Sequence, residues 1–237
     1  MTQPLMDFHA AGEVLEVLTR LPSSQSRFDY FVDQIRAQGF TDVFYARLLP
    51  GASKPFLMRR WDTEWAEIYD AKRYAVWDWA LSAGLTNDAP FLLRAPIVDM
   101  SPKQAAFYRE AEAYNRLNGF AAPYHSATAG AAGFSATGLD REPTEGIMLS
   151  AAATGYVFNL SIVGQMASEK CEEAGVTPRQ QMFLRLLGDG HTHVEIAELL
   201  GVSEDWAHKS FAKLREKFEV RTDPALIKRV MQSGLLT

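Results

Sequence analysis

The sequence predicts an α+β protein in which helices flank an antiparallel sheet and four short helices follow at the C-terminus. Four short apolar segments bounded by turn residues lie between residues 42 and 138, a pattern typical of strands. Apolar residues recur at helical spacing around these segments and again through the last part of the chain. The chain of 237 residues exceeds one ordinary domain. We therefore expect domains at 1–168 and 177–237, joined by a linker at 169–176.

Composition narrows the class of protein. Hydrophobic residues make up 47% of the chain and charged residues 22%, as in ordinary globular proteins. We find no apolar run near the roughly 18 residues of a membrane span, and the N-terminus carries acids where a secretory signal needs bases. The single cysteine, Cys171, excludes an internal disulfide. These features predict a cytoplasmic protein with no membrane partner.

Helical periodicity and turn residues define the elements of the first domain. Helices are predicted at 24–38, 63–74, 77–83, 102–117 and 148–170. Strands are predicted at 42–49, 56–60, 119–126 and 131–138, the last two paired around Ala129 and Gly130. The polar segment Glu169–Gly175 ends on glycine, which indicates a hinge.

Capping residues divide the second domain into helices. Thr177 caps the first helix, Thr192 the second and Ser203 the third, and glycines end the first two. The expected apolar faces are Met182, Phe183, Leu186 and Leu187, then Val194, Ile196, Ala197 and Leu200, then Ala207, Ser210, Phe211, Leu214 and Phe218. The turn that joins the second and third helices is short, so these two helices must cross steeply. The outer face of the third helix is then free to enter a DNA major groove.

The charge balance predicts weak DNA binding by one copy. From Thr177 onward there are nine Lys or Arg and eight Asp or Glu, a net charge of +1, and the chain as a whole carries −5. Since affinity for DNA depends largely on neutralised phosphates, only a local patch is available, formed by Lys209, Lys213, Lys217 and Arg221. A dimer on a palindromic operator is the expected working form.

The C-terminal motifs TPRQ, EIAELLGVSED and KLREKFEVR resemble the DNA-binding domain of LuxR/NarL-class bacterial transcription regulators. The resemblance implies a helix-turn-helix unit. It places His208 and Ala212 where the family reads base edges. The lysines near them, Lys209, Lys213 and Lys217, are expected to bind phosphates. The chain has Gln180 where the family usually has an acid.

The upstream part is similar to the autoinducer-binding domain of LuxR-type quorum-sensing regulators, an α/β/α sandwich around an antiparallel sheet. The family spacing of tryptophan, tyrosine and aspartate is met by Trp65, Tyr69 and Asp78. Its glycine and proline are met by Gly119 and Pro123, and Ser135 follows at the position of a Ser/Thr that faces the pocket.

This resemblance implies a buried site for an acyl-homoserine lactone. Asp78 would accept the ligand amide N–H, and the Trp65 indole would donate to the lactone carbonyl. Tyr69 and Ser135 would contact the acyl end or the amide carbonyl. Three positions depart from the family: Trp61 replaces a frequent tyrosine, Trp79 a proline and Leu93 a tryptophan. They predict a reshaped pocket, a different ligand or none.

Each of these residues also has an ordinary structural interpretation. Trp61, Trp65 and Tyr69 share a helix face and suit core packing. Asp78 suits a helix cap, and Ser135 suits an ordinary strand position. Trp206 is expected to pack against the first helix of its own domain. His191 and His193 have the spacing of a metal pair, but no third ligand stands nearby, which favours a solvated helix start.

The sequence thus predicts a dimeric transcription regulator controlled by a small signal. A ligand-independent regulator, or an inhibitory partner that forms mixed dimers with a LuxR-type receptor, is the alternative. No nucleophile motif, phosphate loop or metal-ligand spacing is present, so we expect neither an enzyme nor a cofactor.

Overall fold

The computed structural model describes residues 8–48, 55–94, 100–126 and 130–236. The helices are α1 (Phe8–Arg20), α2 (Ser24–Arg36), α3 (Thr63–Ala71), α4 (Trp79–Gly84), α5 (Pro102–Ala113), α6 (Glu145–Glu173), α7 (Pro178–Gly188), α8 (His193–Leu199), α9 (Glu204–Lys217) and α10 (Asp223–Gln232), with a 3-10 turn at Tyr74–Val76. The strands are β1 (Asp42–Leu48), β2 (Phe56–Arg60), β3 (Phe91–Leu92), β4 (Phe120–Ser126) and β5 (Gly130–Thr137).

The chain divides into two compact units, and the division falls within α6, between Ile162 and Val163. In the first unit the five strands form one sheet in the order β2-β1-β5-β4-β3. Every neighbouring pair is antiparallel, as predicted. Helices cover both faces, which confirms the α/β/α sandwich.

Aromatic rings of α2 and α6 fill one face of the sheet. Phe31 and Phe158 stack with centroids 4.5 Å apart, and Phe31 meets Phe134 of β5 edge-on at 5.2 Å. Buried polar groups on this face are paired: the Tyr45 hydroxyl and the Arg47 guanidinium both donate to Asn159 Oδ1 at 2.8 Å. The face is a conventional core.

The opposite face carries a second aromatic cluster, built from α3, the 3-10 turn and α5. Its buried members are Trp65, Tyr69, Tyr74, Phe107, Tyr108, Ala111 and Leu117. Gly119 lets the chain pass close to β5, since a Cβ there would lie 2.1 Å from the carbonyl oxygen of Ala136. A steric constraint therefore explains why this chain has glycine at position 119, where the family also has glycine.

Helix α6 is longer than predicted, running from Glu145 to Glu173. Most of the segment predicted as a linker is therefore helical, because nothing before Gly175 interrupts the hydrogen-bond ladder. Among the described residues α6 is long and apolar enough to cross a membrane by length and composition alone. Its buried residues Ala151, Phe158 and Ile162 pack in the core of the first unit, as in a core helix of a globular domain. The limits 1–168, 169–176 and 177–237 stay predictions.

The C-terminal unit contains the four predicted helices. Thr177 and Thr192 form capping boxes at α7 and α8, and Ser203 caps α9. Their core includes the fully buried Phe183, Leu184, Ile196, Phe211 and Leu226. Gly190 and Gly201 have φ of 94° and 60° after α7 and α8, a conformation that favours glycine.

Two inward positions were predicted wrongly. Met182 is 51% exposed and Val194 is 40% exposed. Leu184 takes the place of Met182 in the core. In α8 the helical spacing from Ile196, Ala197 and Leu200 reaches back to position 193, so His193 faces inward.

Element ends also differ. Helix α1 and the two-residue strand β3 were not predicted, and the predicted helix 63–74 ends at Ala71 before the 3-10 turn. The helix predicted at 77–83 begins at Trp79, because Asp78 caps it. The helix predicted at 102–117 ends at Ala113, and Asn115 has φ of 55° in the turn that follows.

Candidate functional site

One pocket lies between the sheet and the helices α3, α4 and α5. All six residues predicted to bind ligand line it: Trp61, Trp65, Tyr69, Asp78, Leu93 and Ser135. They come from four different parts of the chain, so the fold brings them together. Other lining residues are Trp79, Ala80, Phe107, Tyr108, Ala111, Arg116, Leu117 and Thr137. The cavity volume is about 50 Å³.

The polar wall of this pocket is formed by Tyr69 and Asp78, which are joined by a hydrogen bond. The Tyr69 hydroxyl donates to Asp78 Oδ2 at 2.9 Å, and Asp78 Oδ1 accepts the backbone N–H of Ala80 at 2.9 Å. Burial raises the pKa of Asp78, and these hydrogen bonds lower it by less. Burial and the adjoining carboxylate both raise the pKa of Tyr69, which keeps its hydroxyl a donor. Asp78 is therefore a helix cap that also lines the pocket.

Aromatic rings make the apolar wall. Trp65 is 3% exposed and its ring lies 5.9 Å from that of Tyr69. Trp61 meets the Tyr69 ring edge-on at 4.9 Å and covers Phe44 of β1 at 5.2 Å. These rings therefore pack in the core and also line the pocket, so the two interpretations are compatible.

Two of the positions that depart from the family pattern form part of the pocket wall. Trp79 lies on α4 with its ring 5.3 Å from Phe91. Leu93 is 8% exposed, and its carbonyl accepts the Tyr108 hydroxyl. Both residues line the cavity, so the substitutions alter its walls directly.

Arg116 is a pocket residue that the sequence analysis missed. Its side chain is 10% exposed and pairs with Asp42 of β1, which also accepts the backbone N–H of Asp62 at 2.8 Å. The Arg116 Nε–H is buried and makes no hydrogen bond within the described part of the chain. Arg116 follows α5 in an irregular turn, so periodicity gave no signal for it.

The second candidate site is the outer face of α9. His208, Lys209, Ala212 and Lys213 are exposed there, as predicted, while Ala207, Ser210, Phe211 and Leu214 face the core. Arg221 is exposed before α10. The arrangement presents a basic helix face to solvent.

Two of the lysines predicted to contact DNA phosphates have partners within the chain. Lys209 Nζ lies 2.7 Å from Asp205 Oδ2, and Lys217 Nζ donates to the carbonyl of Gly175. The structure gives no such contact for Lys213 among the residues it describes. Lys213 is therefore the strongest candidate for a phosphate contact on α9.

Trp206 packs against the first helix of its own unit, as predicted. Its ring meets Phe183 of α7 edge-on at 5.2 Å, and the Arg179 guanidinium lies 4.7 Å from the ring centroid. Arg179 thereby joins Lys209 and Lys213 along one groove. Arg179 could not be predicted from the sequence, because its position depends on the crossing of α7 and α9.

His191 and His193 do not converge on a metal site. His191 Nδ1 lies 3.9 Å from Glu195 Oε2, whereas His193 turns inward. Within the described ranges no group of three or more His, Cys, Asp or Glu side chains has a metal-binding arrangement.

Residues 23–159, more than half of the chain, match the family model for the autoinducer binding domain. The chain therefore belongs to the autoinducer-binding family of LuxR-type regulators. It is 26% identical over 110 residues to the transcriptional regulatory protein MctR of Rhizobium johnstonii. The matched stretch covers 46% of this chain and 51% of MctR, so the chain spans about half the length of that curated relative.

Solved structures share the fold. SdiA of Escherichia coli superposes with a TM-score of 0.64 at 14% identity, covering 96% of this chain and 98% of SdiA. A further SdiA structure holds octanoyl-rac-glycerol. CepR2 of Burkholderia cenocepacia, described as dependent on N-acylhomoserine lactone, gives a TM-score of 0.52 at 15% identity, covering 68% of this chain and 96% of CepR2.

Proposed function

We propose that this chain is a dimeric DNA-binding transcription regulator whose first unit takes a small, mainly apolar signal of the acyl-homoserine lactone class. The observation that carries the proposal is the convergence of Trp61, Trp65, Tyr69, Asp78, Leu93 and Ser135 on one pocket. Membership of the autoinducer-binding family supports it. The known ligands of SdiA and CepR2 named above set the range of signals to test.

The chemistry of the pocket suits such a signal. An acyl chain needs an apolar shell, which the rings of α3 and α5 provide, and an amide head needs one buried acceptor and one or two donors. Asp78 supplies the acceptor, and the Trp65 indole and the Tyr69 hydroxyl supply donors. We propose Arg116 as a further donor, because this residue lines the same cavity and its buried Nε–H has no hydrogen-bond partner among the described residues.

Pocket size sets a condition on binding. Small-molecule pockets usually hold about 300–1,000 Å³, whereas this cavity holds about 50 Å³. Binding therefore requires the aromatic wall to move outward. The ligand-bound and ligand-free states would then differ in stability and in the shape of the first unit, which is how a signal can control DNA binding.

Titration with acyl-homoserine lactones of short, medium and long chain, and with octanoyl glycerol, tests this proposal. We expect at least one ligand to raise the melting temperature and to change operator affinity. Trp65→Phe should weaken that response, because an aromatic ring, although a smaller one, is kept and the indole N–H is lost. Trp77→Phe, at a tryptophan outside the pocket lining, is the matched control. No stabilisation by any ligand would contradict the ligand assignment.

The alternative is a regulator that needs no ligand, or an inhibitory partner in mixed dimers. The small cavity and the Tyr69–Asp78 hydrogen bond favour it, because these two polar side chains of the pocket already bond to each other. Protein produced in cells that make no lactone would then be folded and would bind DNA, or would bind a LuxR-type receptor, as strongly as protein produced with added ligand. Aggregation without ligand would exclude this alternative.

A further inference from the structure

The histidines of α8 and α9 form a connected pair behind the DNA-facing surface. His193 Nδ1 lies 3.0 Å from His208 Nδ1, and the ring centroids are 4.8 Å apart. The His193 ring stacks on Phe211 at 4.1 Å and 10°. Its side chain is 14% exposed, whereas His208 is exposed. His193 is thus held in place by the core and touches the surface residue that was predicted to read DNA bases.

The far side of the His193 ring faces a carboxylate. Asp223 Oδ2, at the start of α10, lies 2.8 Å from His193 Nε2, which is buried. The Nε2 atom makes no hydrogen bond within the described ranges, so the contact with Asp223 is electrostatic. The other oxygen of Asp223 accepts from Arg215 Nη1 of α9 at 2.5 Å, which stabilises the charged carboxylate.

This geometry decides which nitrogens carry protons. Asp223 Oδ2 lies 2.8 Å from His193 Nε2 at an angle too oblique for a hydrogen bond, and its negative charge favours a proton over a lone pair on the nearer ring nitrogen. We therefore assign the proton to Nε2. In a neutral imidazole the other nitrogen is then an acceptor. His193 Nδ1 therefore accepts, and His208 Nδ1 must donate across the 3.0 Å contact. The remaining nitrogen of His208, Nε2, is left with a lone pair.

We propose that His193 is a positioning residue that holds neutral His208 in the Nδ1–H tautomer, so that His208 Nε2 offers DNA a hydrogen-bond acceptor. In the major groove an acceptor matches the exocyclic amino group of cytosine or adenine. Guanine N7 and O6 and phosphate oxygens are acceptors themselves, so neutral His208 does not pair with them. The base-reading half of this inference rests on the proposed function, and the tautomer half stands without it.

Charged groups around the pair belong to three parts of the chain. Asp223 lies on α10 and Arg215 on α9, as described above. His191 and Glu195 lie beside His193 at the start of α8, but their contact is with each other, at 3.9 Å. Asp223 is thus the group that orients His193, and Asp223→Asn should weaken that orientation.

Nitrogen-15 NMR of histidine-labelled, full-length, DNA-free protein tests the tautomer. The spectrum is recorded well above neutral pH, where histidine side chains are ordinarily neutral. We expect a protonated Nδ1 and an unprotonated Nε2 for His208, the reverse of the tautomer preferred by free histidine. His193→Ala should return His208 to the Nε2–H form, and His191→Ala should not. A wild-type His208 in the Nε2–H form would overturn the proposal, and this wild-type spectrum decides even if His193→Ala fails to fold.

Selection of binding sites from random duplex DNA tests whether His208 reads cytosine or adenine. We expect the position at which His208→Ala loses discrimination to carry cytosine or adenine in the wild-type site, with a preference of about five- to tenfold. Guanine at that position would overturn the reading. If the protein selects no DNA, the proposed function fails while the NMR result still decides the tautomer.

Discussion

Asp78 combines a structural task and a candidate binding task in one carboxylate. One oxygen caps α4 and the other accepts the Tyr69 hydroxyl. Burial raises its pKa more than these bonds lower it, so the charge makes the folded state less stable than a neutral group would. A buried carboxyl group whose ionised form is disfavoured by the fold is more easily explained by binding than by stability.

Asp78→Asn is expected to be more stable than the wild type at neutral pH. The folded-state pKa is raised above the unfolded value of about 3.9, so the stabilising contribution of this group is present below the unfolded pKa and is lost as the pH rises through the folded pKa. Asparagine keeps an acceptor and does not titrate. Urea unfolding from acid to neutral pH measures the difference, with exposed Asp88→Asn as control. Parallel curves for wild type and Asp78→Asn would refute this account.

The same variant should bind the signal less tightly, by about fivefold or more, because a neutral amide oxygen accepts more weakly than a carboxylate. Ligand titration of both proteins checks this. Unchanged affinity would remove Asp78 from the site.

Lys213 is expected to contact a DNA phosphate. Lys213→Ala should lower operator affinity for all sequences alike and reduce the slope of log affinity against log salt by about one. His208→Ala should leave the slope nearly unchanged and reduce sequence discrimination. Fluorescence anisotropy across a salt series compares the two. A reduced slope for His208→Ala would reassign His208 to phosphate contact.

Helices and strands with local signals were predictable. The caps at Thr177, Thr192 and Ser203 placed α7, α8 and α9, because a side-chain oxygen that satisfies free backbone N–H groups acts within one turn. The two-residue strand β3 was missed, since it exists only through pairing with β4. His193 was missed as an inward position although the spacing of α8 reaches it, because histidine is a polar residue and its contacts with Phe211 and Asp223 come from other helices.

The pocket residues were predictable through family spacing, whereas the contacts between them were not. The spacing of Trp65, Tyr69 and Asp78 indicates which side chains meet. It does not indicate that Tyr69 binds Asp78, or that Arg116 joins them from a turn. These contacts depend on tertiary packing, which periodicity does not encode.

The steric role of Gly119 can be tested by comparing Gly119→Ala with Gly146→Ala, a glycine substitution in open space in the first unit. Gly119→Ala places a Cβ 2.1 Å from the Ala136 carbonyl and 2.8 Å from Thr137 Cα. We expect a loss of about 1–3 kcal/mol in the free energy of unfolding. Gly146→Ala meets nothing within 4 Å in α6 and should stabilise by about 0.5 kcal/mol. Equal effects of both variants in urea unfolding would contradict the steric role of Gly119.

Dimerisation is the property on which DNA binding should most depend. The C-terminal segment carries a net charge of only +1, so one copy holds few phosphates. The first unit offers an apolar stripe on α6, where Leu149, Tyr156 and Leu160 are 45%, 51% and 52% exposed. We propose this stripe as the contact with a second copy.

Leu160→Glu is expected to shift the protein toward monomer and to lower operator affinity by at least tenfold. A buried charge without a partner would oppose association, and the loss of one half-site contact would follow. Sedimentation velocity and anisotropy measure the two effects. Leu85→Glu, at a residue 61% exposed outside the stripe, is the control. A dimer that survives Leu160→Glu unchanged would place the interface elsewhere.

The small aromatic pocket also has a kinetic consequence. A cavity of about 50 Å³, with Tyr69 hydrogen-bonded to Asp78 on its polar wall, does not admit an acyl chain until the wall moves outward. This movement then becomes a step of its own before ligand capture, and the observed binding rate should level off as ligand concentration increases. Tyr69→Phe removes the hydrogen bond on the polar wall and should raise that plateau.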